Sequence, residues 1–229
     1  MIGILCAVER EFAPFSERID NPVTTRAAGL EWVCGTLAGQ AVVAVCCGIG
    51  KVNAAIATQA LIDRWNPTAL INPGTAGGMD ESLEVYDTIV STQLAHHDFD
   101  HKTLQGHHPF MTEDFFAADA DWLAAARAAA AKHPHGPRVF FGRMVAGEAF
   151  IEDEFRAAIN QKHAPLSVDM ESSAMAHAAL VNNVPFLSIR TITDTATHKG
   201  VASFMENLPH AADLSCKFAL AVMAEMDTL

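Results

Sequence analysis

Four carboxylates sit where a fold can set them to acid–base work. Ser167-Val168-Asp169-Met170-Glu171-Ser172 carries two acids just after an apolar run, and Ser188-Ile189-Arg190-Thr191-Ile192-Thr193-Asp194 carries another at the end of a second run. Glu11 follows the apolar stretch Ile2–Val8. Each run reads as a buried strand, and ligands of α/β proteins bind outside the carboxyl ends of their strands. Carboxyl groups in different surroundings can divide the roles of general acid and general base. Asp194, once desolvated, has a raised pKa and can deliver a proton. Glu171 can accept hydrogen bonds from vicinal hydroxyls. The plainer reading of Glu171, Glu9 and Glu11 is an acid favoured in the first turn of a helix. For Arg190 it is a cation neutralising a buried acid. Phe150 and Met170 are ordinary core types, but beside strand-end polar groups they suit a flat, uncharged ligand with a sugar attached.

The elements that must position these groups are visible in the hydrophobic pattern. Strands are expected at Ile2–Val8, Glu31–Leu37, Ala41–Cys46, Ala69–Asn72, Asp87–Leu94, Val139–Val145, Leu166–Asp169 and Phe186–Thr191. Ala38-Gly39-Gln40 joins the second and third as a hairpin turn. Helices are expected from Glu9 to Ile19, Val52–Trp65 (stopped by Asn66-Pro67), Ala117–Lys132, Glu152–Gln161, Ser172–Val181 and Ala211–Met226. Strand and helix alternate from about residue 41 onward, which predicts a parallel or mixed sheet covered on both faces. No repeat or linker interrupts the 229 residues, so one domain spans 1–229.

Composition narrows the partners. The chain is 50% hydrophobic, enough for a large core, and its formal net charge of −12 argues against a nucleic-acid backbone while leaving a small nucleoside open. No apolar run reaches the roughly 18 residues of a membrane span, and the N-terminal run lacks the basic flank of a signal peptide. Five cysteines without a Cys-x-x-Cys spacing read as reduced core thiols of a cytoplasmic protein.

Three further motifs weigh less. Gly48-Ile49-Gly50-Lys51 fails the phosphate-loop pattern, because Val45 and Val52 stand where Gly and Ser/Thr are required. It reads as a tight strand-to-helix connection with backbone N–H groups near a ligand. Asn72-Pro73-Gly74-Thr75-Ala76-Gly77-Gly78, directly after a buried strand, reads equally as a segment that lets a ligand approach the backbone, with the Thr75 hydroxyl on offer, or as an ordinary turn. His96, His97, Asp98, Asp100, His101, His107 and His108 crowd a stretch, 96–112, expected to be a loop; their spacing matches no zinc pattern, and no metal site is assigned.

Taken in order, Gly-Ile-Gly-Lys-Val-Asn-Ala-Ala (48–55), Asn-Pro-Gly-Thr-Ala-Gly-Gly (72–78), Ala-Gly-Glu-Ala-Phe-Ile (146–151), Val-Asp-Met-Glu-Ser (168–172) and Arg-Thr-Ile-Thr-Asp (190–194) resemble the bacterial 5'-methylthioadenosine/S-adenosylhomocysteine nucleosidases of the nucleoside phosphorylase superfamily. The resemblance runs from residue 2 to the last helix. It implies a three-layer α/β/α sandwich with a mixed, partly barrel-like central sheet, no cofactor, and a homodimer. It implies hydrolysis of the bond between adenine and a 5'-thio-substituted ribose. Glu11 matches the base that activates water; Asp194 matches the acid at adenine N7, with Thr193 where a Ser usually orients it. Thr75 and Arg190 match groups that help place the water and the carboxylates. Phe150 and Ile151 match the adenine pocket, Gly77 a substrate-contacting backbone, Met170 and Glu171 the ribose contacts, and Phe204 an aromatic over the sugar end. Asp169 joins the substrate-binding set, though the family generally has Glu there. His101 and Leu104 match a loop that crosses into the partner's 5' pocket.

Breaking a glycosidic bond passes through a ribosyl cation-like state, so the leaving base needs a proton and the water a base, a division two carboxyl groups can make. Three alternatives differ in testable ways. A phosphorolytic purine or uridine phosphorylase needs arginines for phosphate, and Leu70-Ile71-Asn72-Pro73 lacks the one expected before the glycine-rich segment. An aminofutalosine nucleosidase keeps the chemistry and changes the substrate. A non-catalytic nucleoside-binding protein would need neither acid nor base.

Overall fold

The computed structural model describes residues 1–107, 111–132, 136–197 and 200–226. In chain order the elements are β1 (Ile2–Cys6), α1 (Glu9–Ser16), β2 (Asp20–Ala27), β3 (Leu30–Leu37), β4 (Gln40–Cys46), α2 (Lys51–Trp65), β5 (Ala69–Gly78), β6 (Thr88–His96) and α3 (His101–His107). The second half adds β7 (Phe116–Ala117), α4 (Ala120–Lys132), β8 (Val139–Ala146), α5 (Asp153–His163), β9 (Ser167–Asp169), α6 (Ser172–Val181), β10 (Phe186–Asp194) and α7 (Gly200–Met226).

All these strands belong to one sheet in the order β10-β6-β8-β9-β5-β1-β4-β3-β2, with β7 beside β6. A further parallel pairing of β10 with β5 closes the first five strands of that order into a barrel. Pairings are mixed: β1 runs parallel to β4 and β5, while β3 is antiparallel to β2 and β4. The β3–β4 turn puts Ala38 at φ 50° and Gly39 at φ 81°, a two-residue connection whose left-handed pair matches the twist of the strands.

Alternating side chains of the central strands feed two cores. Ile4, Ile71 and Ile189 pack with Phe12 and Phe15 of α1, Trp122 of α4 and Val222 of α7. Leu5, Leu70 and Phe186 pack with Ala57 and Leu61 of α2 and Met175 of α6. Helices thus cover both faces, giving the three layers. A smaller cluster joins Ile151 and Ile159 to Met79, Val145 and Val168.

The structure corrects several sequence expectations. Pro73–Gly78 is not a turn but the second half of β5, paired with β10 through Ile189 and beyond. A proline is normally confined to edges because it cannot feed the ladder. Here β1 accompanies β5 only through Ala69–Ile71, so the later amides of β5 have lost that neighbour. Side chains take up the amides: Thr75 N–H donates to Glu11 Oε1 at 2.7 Å, while Gly74 N–H donates to Ser215 Oγ at 2.9 Å, and that hydroxyl donates to Ile189 O of β10 at 3.0 Å. The 96–112 stretch is not all loop, since it contains the end of β6 and the short α3; His108 lies outside the described residues. Within it, His96 Nδ1 is 2.7 Å from Ser173 Oγ, and the His97 ring packs onto Gly147. The last helix starts at Gly200, not Ala211, and runs through Pro209. Strands β2 and β7 were not expected.

Asn72 ties three strands beneath the barrel mouth. Its Nδ2 donates to Leu5 O at 2.8 Å, while its Oδ1 accepts from Arg190 Nη2 at 2.8 Å and Ser188 Oγ at 3.1 Å. All these groups are buried, so Asn72→Leu leaves several unpaired at once and is expected to cost about 3 kcal/mol or more. Chemical denaturation measures it; a loss below about 1 kcal/mol would contradict the role of this bridge.

Candidate active site

At the carboxyl ends of β1, β5, β9 and β10 lies a cavity of about 300 Å³. Ala7 and Val8 follow β1, Thr75, Ala76 and Gly77 come from β5, Asp169 ends β9 and Asp194 ends β10. Met170 and Glu171 continue from β9; Ile49, Ala149, Phe150, Ile151, Val201 and Phe204 complete the wall. Of the residues singled out in the sequence, ten therefore face one space: Glu11, Thr75, Gly77, Phe150, Ile151, Asp169, Met170, Glu171, Asp194 and Phe204.

Glu11 is 4% exposed and held from two elements. Its Oε2 accepts from the N–H of Ala7 at 3.1 Å and of Val8 at 3.4 Å, at the start of its own helix. Its Oε1 accepts from the Thr75 hydroxyl at 2.8 Å as well as the Thr75 N–H. The first-turn reading is thus half of the truth: one oxygen serves the helix start, the other the strand across the cavity.

Asp169 and Glu171 bracket the start of α6. Asp169 Oδ1 accepts from the N–H groups of Glu171 and Ser172, both at 2.8 Å, satisfying amides that the helix leaves free. Glu171 Oε1 reaches instead to the Gly50 N–H at 2.9 Å. Gly50, at φ 98°, supplies the backbone N–H expected of the Gly48–Gly50 turn, but to a carboxylate.

Behind these acids lies Arg190, fully buried on β10. Its guanidinium is 3.8 Å from Glu11, 3.4 Å from Asp169 and 3.7 Å from Glu171, and it also bonds Asn72 Oδ1. Arg190 does not line the cavity; it supplies charge from behind. Gly74 is the price of this proximity: a Cβ there would fall 2.7 Å from Glu11 Oε1 and nearer still to Arg190 Nη1.

Burial pushes the Glu171 carboxyl up to about 7, with Asp169 and Glu11 adding to the rise and Arg190 and the Gly50 N–H opposing it. For Arg190 burial works against the charge, and the three carboxylates outweigh it to raise its pKa. Asp194 stands apart from this cluster. Burial raises its pKa, against the Thr193 hydroxyl, which donates to Oδ1 at 2.9 Å, and the Arg156 guanidinium. Thr193 is buried behind Asp194 and does not line the cavity. Gly77 leaves room for the acid, since a Cβ would lie 3.1 Å from Asp194 Oδ2. Phe150 and Phe204 meet edge to face with centroids 6.0 Å apart.

Leu104 does not line this cavity. Leu104, on α3, packs half-buried against the second core, and the His101 side chain lies outside the described part of the structure. Sequence reasoning missed Ile49, Val201 and Arg156. Ile49 sits in a turn whose backbone, not its side chain, was expected near a ligand, and Val201 lies in the part of α7 that Pro209 hid.

The arrangement places a fixed carboxylate held by Thr75 and a desolvated carboxyl of raised pKa on one apolar cavity. Residues 1–224 match the family model described as the phosphorylase superfamily. The 5'-methylthioadenosine/S-adenosylhomocysteine nucleosidase of Shewanella sediminis is 34% identical over 229 residues, 98% of this chain and 99% of that one. The nucleosidase of the same name from Colwellia psychrerythraea, solved with adenine, superposes with a TM-score of 0.91 at 32% identity, covering 98% of this chain and 95% of that one. The Neisseria meningitidis enzyme, solved with methylthio-immucillin-A, gives 0.90 at 31% identity over 97% and 98%. In sequence and fold from end to end, the chain belongs to the phosphorylase superfamily and, within it, to the 5'-methylthioadenosine/S-adenosylhomocysteine nucleosidases.

Proposed function

We propose that this chain hydrolyses the N-glycosidic bond of 5'-methylthioadenosine and S-adenosylhomocysteine, releasing adenine and the 5'-substituted ribose. The observation that carries the proposal is the pair Glu11 and Asp194 on one cavity in unlike surroundings. Asp194, whose burial favours the protonated form, gives its proton to N7 of the base as the C–N bond breaks. Glu11 takes a proton from the attacking water. Its contact to the Val8 N–H is long, 3.4 Å, which leaves Oε2 capacity to accept from that water. Glu171 accepts from the ribose hydroxyls, and its charge favours the positive charge building on the sugar. Phe150 stacks on the base, the Ile151 backbone meets its edge, Met170 and Gly77 contact the substrate, and Phe204 covers the sugar end.

Hydrolysis is favoured over phosphorolysis because the described residues lining the cavity include no Lys or Arg. A phosphate would need such donors. The same reading includes a homodimer. Val52 and Ile56 of α2 and Leu180 and Val181 of α6 are 36–67% exposed on neighbouring helices, an apolar face that a second copy would cover, bringing its His101 and Leu104 to the 5' end.

Adenine release from 5'-methylthioadenosine, S-adenosylhomocysteine and aminofutalosine, with and without phosphate, tests the function. Release independent of phosphate is expected; dependence on it would move the chain to the phosphorylases, and no release would leave a binding protein. Glu11→Gln and Asp194→Asn are each expected to lower kcat by about 10²- to 10⁴-fold with substrate affinity changed only a few-fold. A near-normal rate in either variant removes that residue from the mechanism. Because Glu171 is charged only above about 7, kcat/KM is expected to fall as pH drops through that value. The acid limb should disappear in Glu171→Gln, and its persistence there would assign it to another group. Ile56→Glu is expected to yield monomers in analytical ultracentrifugation; a wild-type chain already monomeric would refute the dimer.

A further inference from the structure

Asp194 borders two cavities. One is the apolar reaction cavity; the other, of about 420 Å³, lies on its far side and is polar, lined by Glu152, Glu154, Arg156 and Thr195. Ile151 and Asp194 are the wall between them. Arg156 rises from α5 and is only 8% exposed. Its Nη2 donates to the carbonyl of Gly78, next in β5 to Gly77, the residue whose missing Cβ makes room for the Asp194 carboxyl. The guanidinium is therefore fixed to the same piece of strand that Asp194 packs against.

We propose that Arg156, anchored on Gly78 in the polar cavity, is a positioning residue for Asp194, its fixed charge stabilising the carboxylate that remains when the proton passes to the departing base. The inference rests on the reading of Asp194 as the acid. In that step the proton leaves the Asp194 carboxyl for N7, and the electron pair of the C–N bond goes to the base. Burial alone makes an acid that keeps its proton; a cation behind it, out of reach of the substrate, lets the proton go without adding positive charge beside the ribosyl cation. Among the described residues, the remaining surroundings of Asp194 do not supply this. From β10 comes the Thr193 hydroxyl, from β5 only the backbone of Gly77 and Gly78, and from α7 the uncharged Gly200, Val201 and Phe204. Among the described residues, the other ionisable groups on the two cavities, Glu152, Glu154, Asp169, Glu11 and Glu171, are all acids. Arg190 is spent on three of these.

The test titrates the Asp194 carboxyl by carbon-13 NMR in the ligand-free protein and records kcat/KM against pH, in wild type, Arg156→Gln and Arg156→Lys. Gln keeps a donor for the Gly78 carbonyl and removes the charge; Lys keeps the charge. Loss of a cation makes the carboxylate less favourable, so in Arg156→Gln the Asp194 midpoint should rise by about one pH unit. The alkaline limb of kcat/KM should move up with it, and kcat should fall about tenfold, a cost of one such unit in proton transfer. Arg156→Lys should restore the midpoint and most of kcat. A midpoint unmoved in Arg156→Gln, or moved equally in both variants, would overturn the proposal and leave Arg156 as a tether for Gly78. Arg156→Met gives a second neutral variant should Gln not fold. If Asp194→Asn is fully active while the midpoint still responds to Arg156, the acid assignment fails and the electrostatic coupling stands.

Discussion

The fully buried guanidinium of Arg190 is the constraint around which the site is built. A cation taken out of water costs several kcal/mol unless it is paired and hydrogen-bonded. Arg190 meets that need with three carboxylates from three places in the chain: the start of α1, the end of β9 and the start of α6. Its distances to them, 3.4–3.8 Å, exceed the roughly 2.7–2.9 Å of charge-assisted hydrogen bonds. The pairing with Asp169 is correspondingly imperfect: Asp169 Oδ2 and Arg190 Nε have no partner of good hydrogen-bond geometry. The short bonds to the acids come from backbone and hydroxyl groups instead. Arg190 thus balances charge without fully consuming the acceptor capacity of the acids.

Positioning the guanidinium constrains the backbone in turn. β10 is buried along its whole length, so Arg190 can project only into the closed barrel mouth. Asn72 must receive one of its amino groups, and Gly74 must lack a side chain. The strand that carries both residues has outrun β1 at that point; its Thr75 amide is given to Glu11, and Ser215 bridges its Gly74 amide to Ile189 of β10. The same irregularity that makes room for the arginine therefore supplies a donor that holds one of its acids. A regular ladder through residue 75 would have consumed it.

Much of the site was legible because acids at the ends of apolar runs are a direct signal of strand-end chemistry. Glu11, Asp169, Glu171 and Asp194 all stand where that reasoning places them. The barrel closure was legible only through resemblance. Pro73-Gly74 reads locally as a turn, and only the pairing with β10, over a hundred residues later, makes it strand. The short α3 has seven residues with Gly and two His, too little local preference to stand out from a loop. Pro209 hides the first turns of α7 because proline removes an N–H and normally ends a helix. Those turns carry Val201 and Phe204; Phe204 was legible through resemblance, and Val201 was concealed. Arg156 gave no signal, since a lone arginine in a helical stretch is most often a solvated one.

The charge that Arg190 leaves unbalanced also decides what the cavity tolerates. Its charge is directed inward at Glu11, Asp169 and Glu171, one cation among three acids, and the described cavity wall adds Asp194 but no cation. Among the described residues the balance is therefore acidic wherever those carboxyls are ionised. At an effective dielectric of about 20, a unit anion about 4 Å from one such carboxylate meets about 4 kcal/mol of repulsion. A phosphate dianion meets that penalty more than once, whereas a neutral water does not. A ribosyl centre gaining positive charge experiences the same field with opposite sign. The apolar lining strengthens both effects, because little solvent remains to screen them. The excess of carboxylates over the single buried arginine thus makes the cavity unfavourable to an anionic nucleophile and favourable to a cationic sugar.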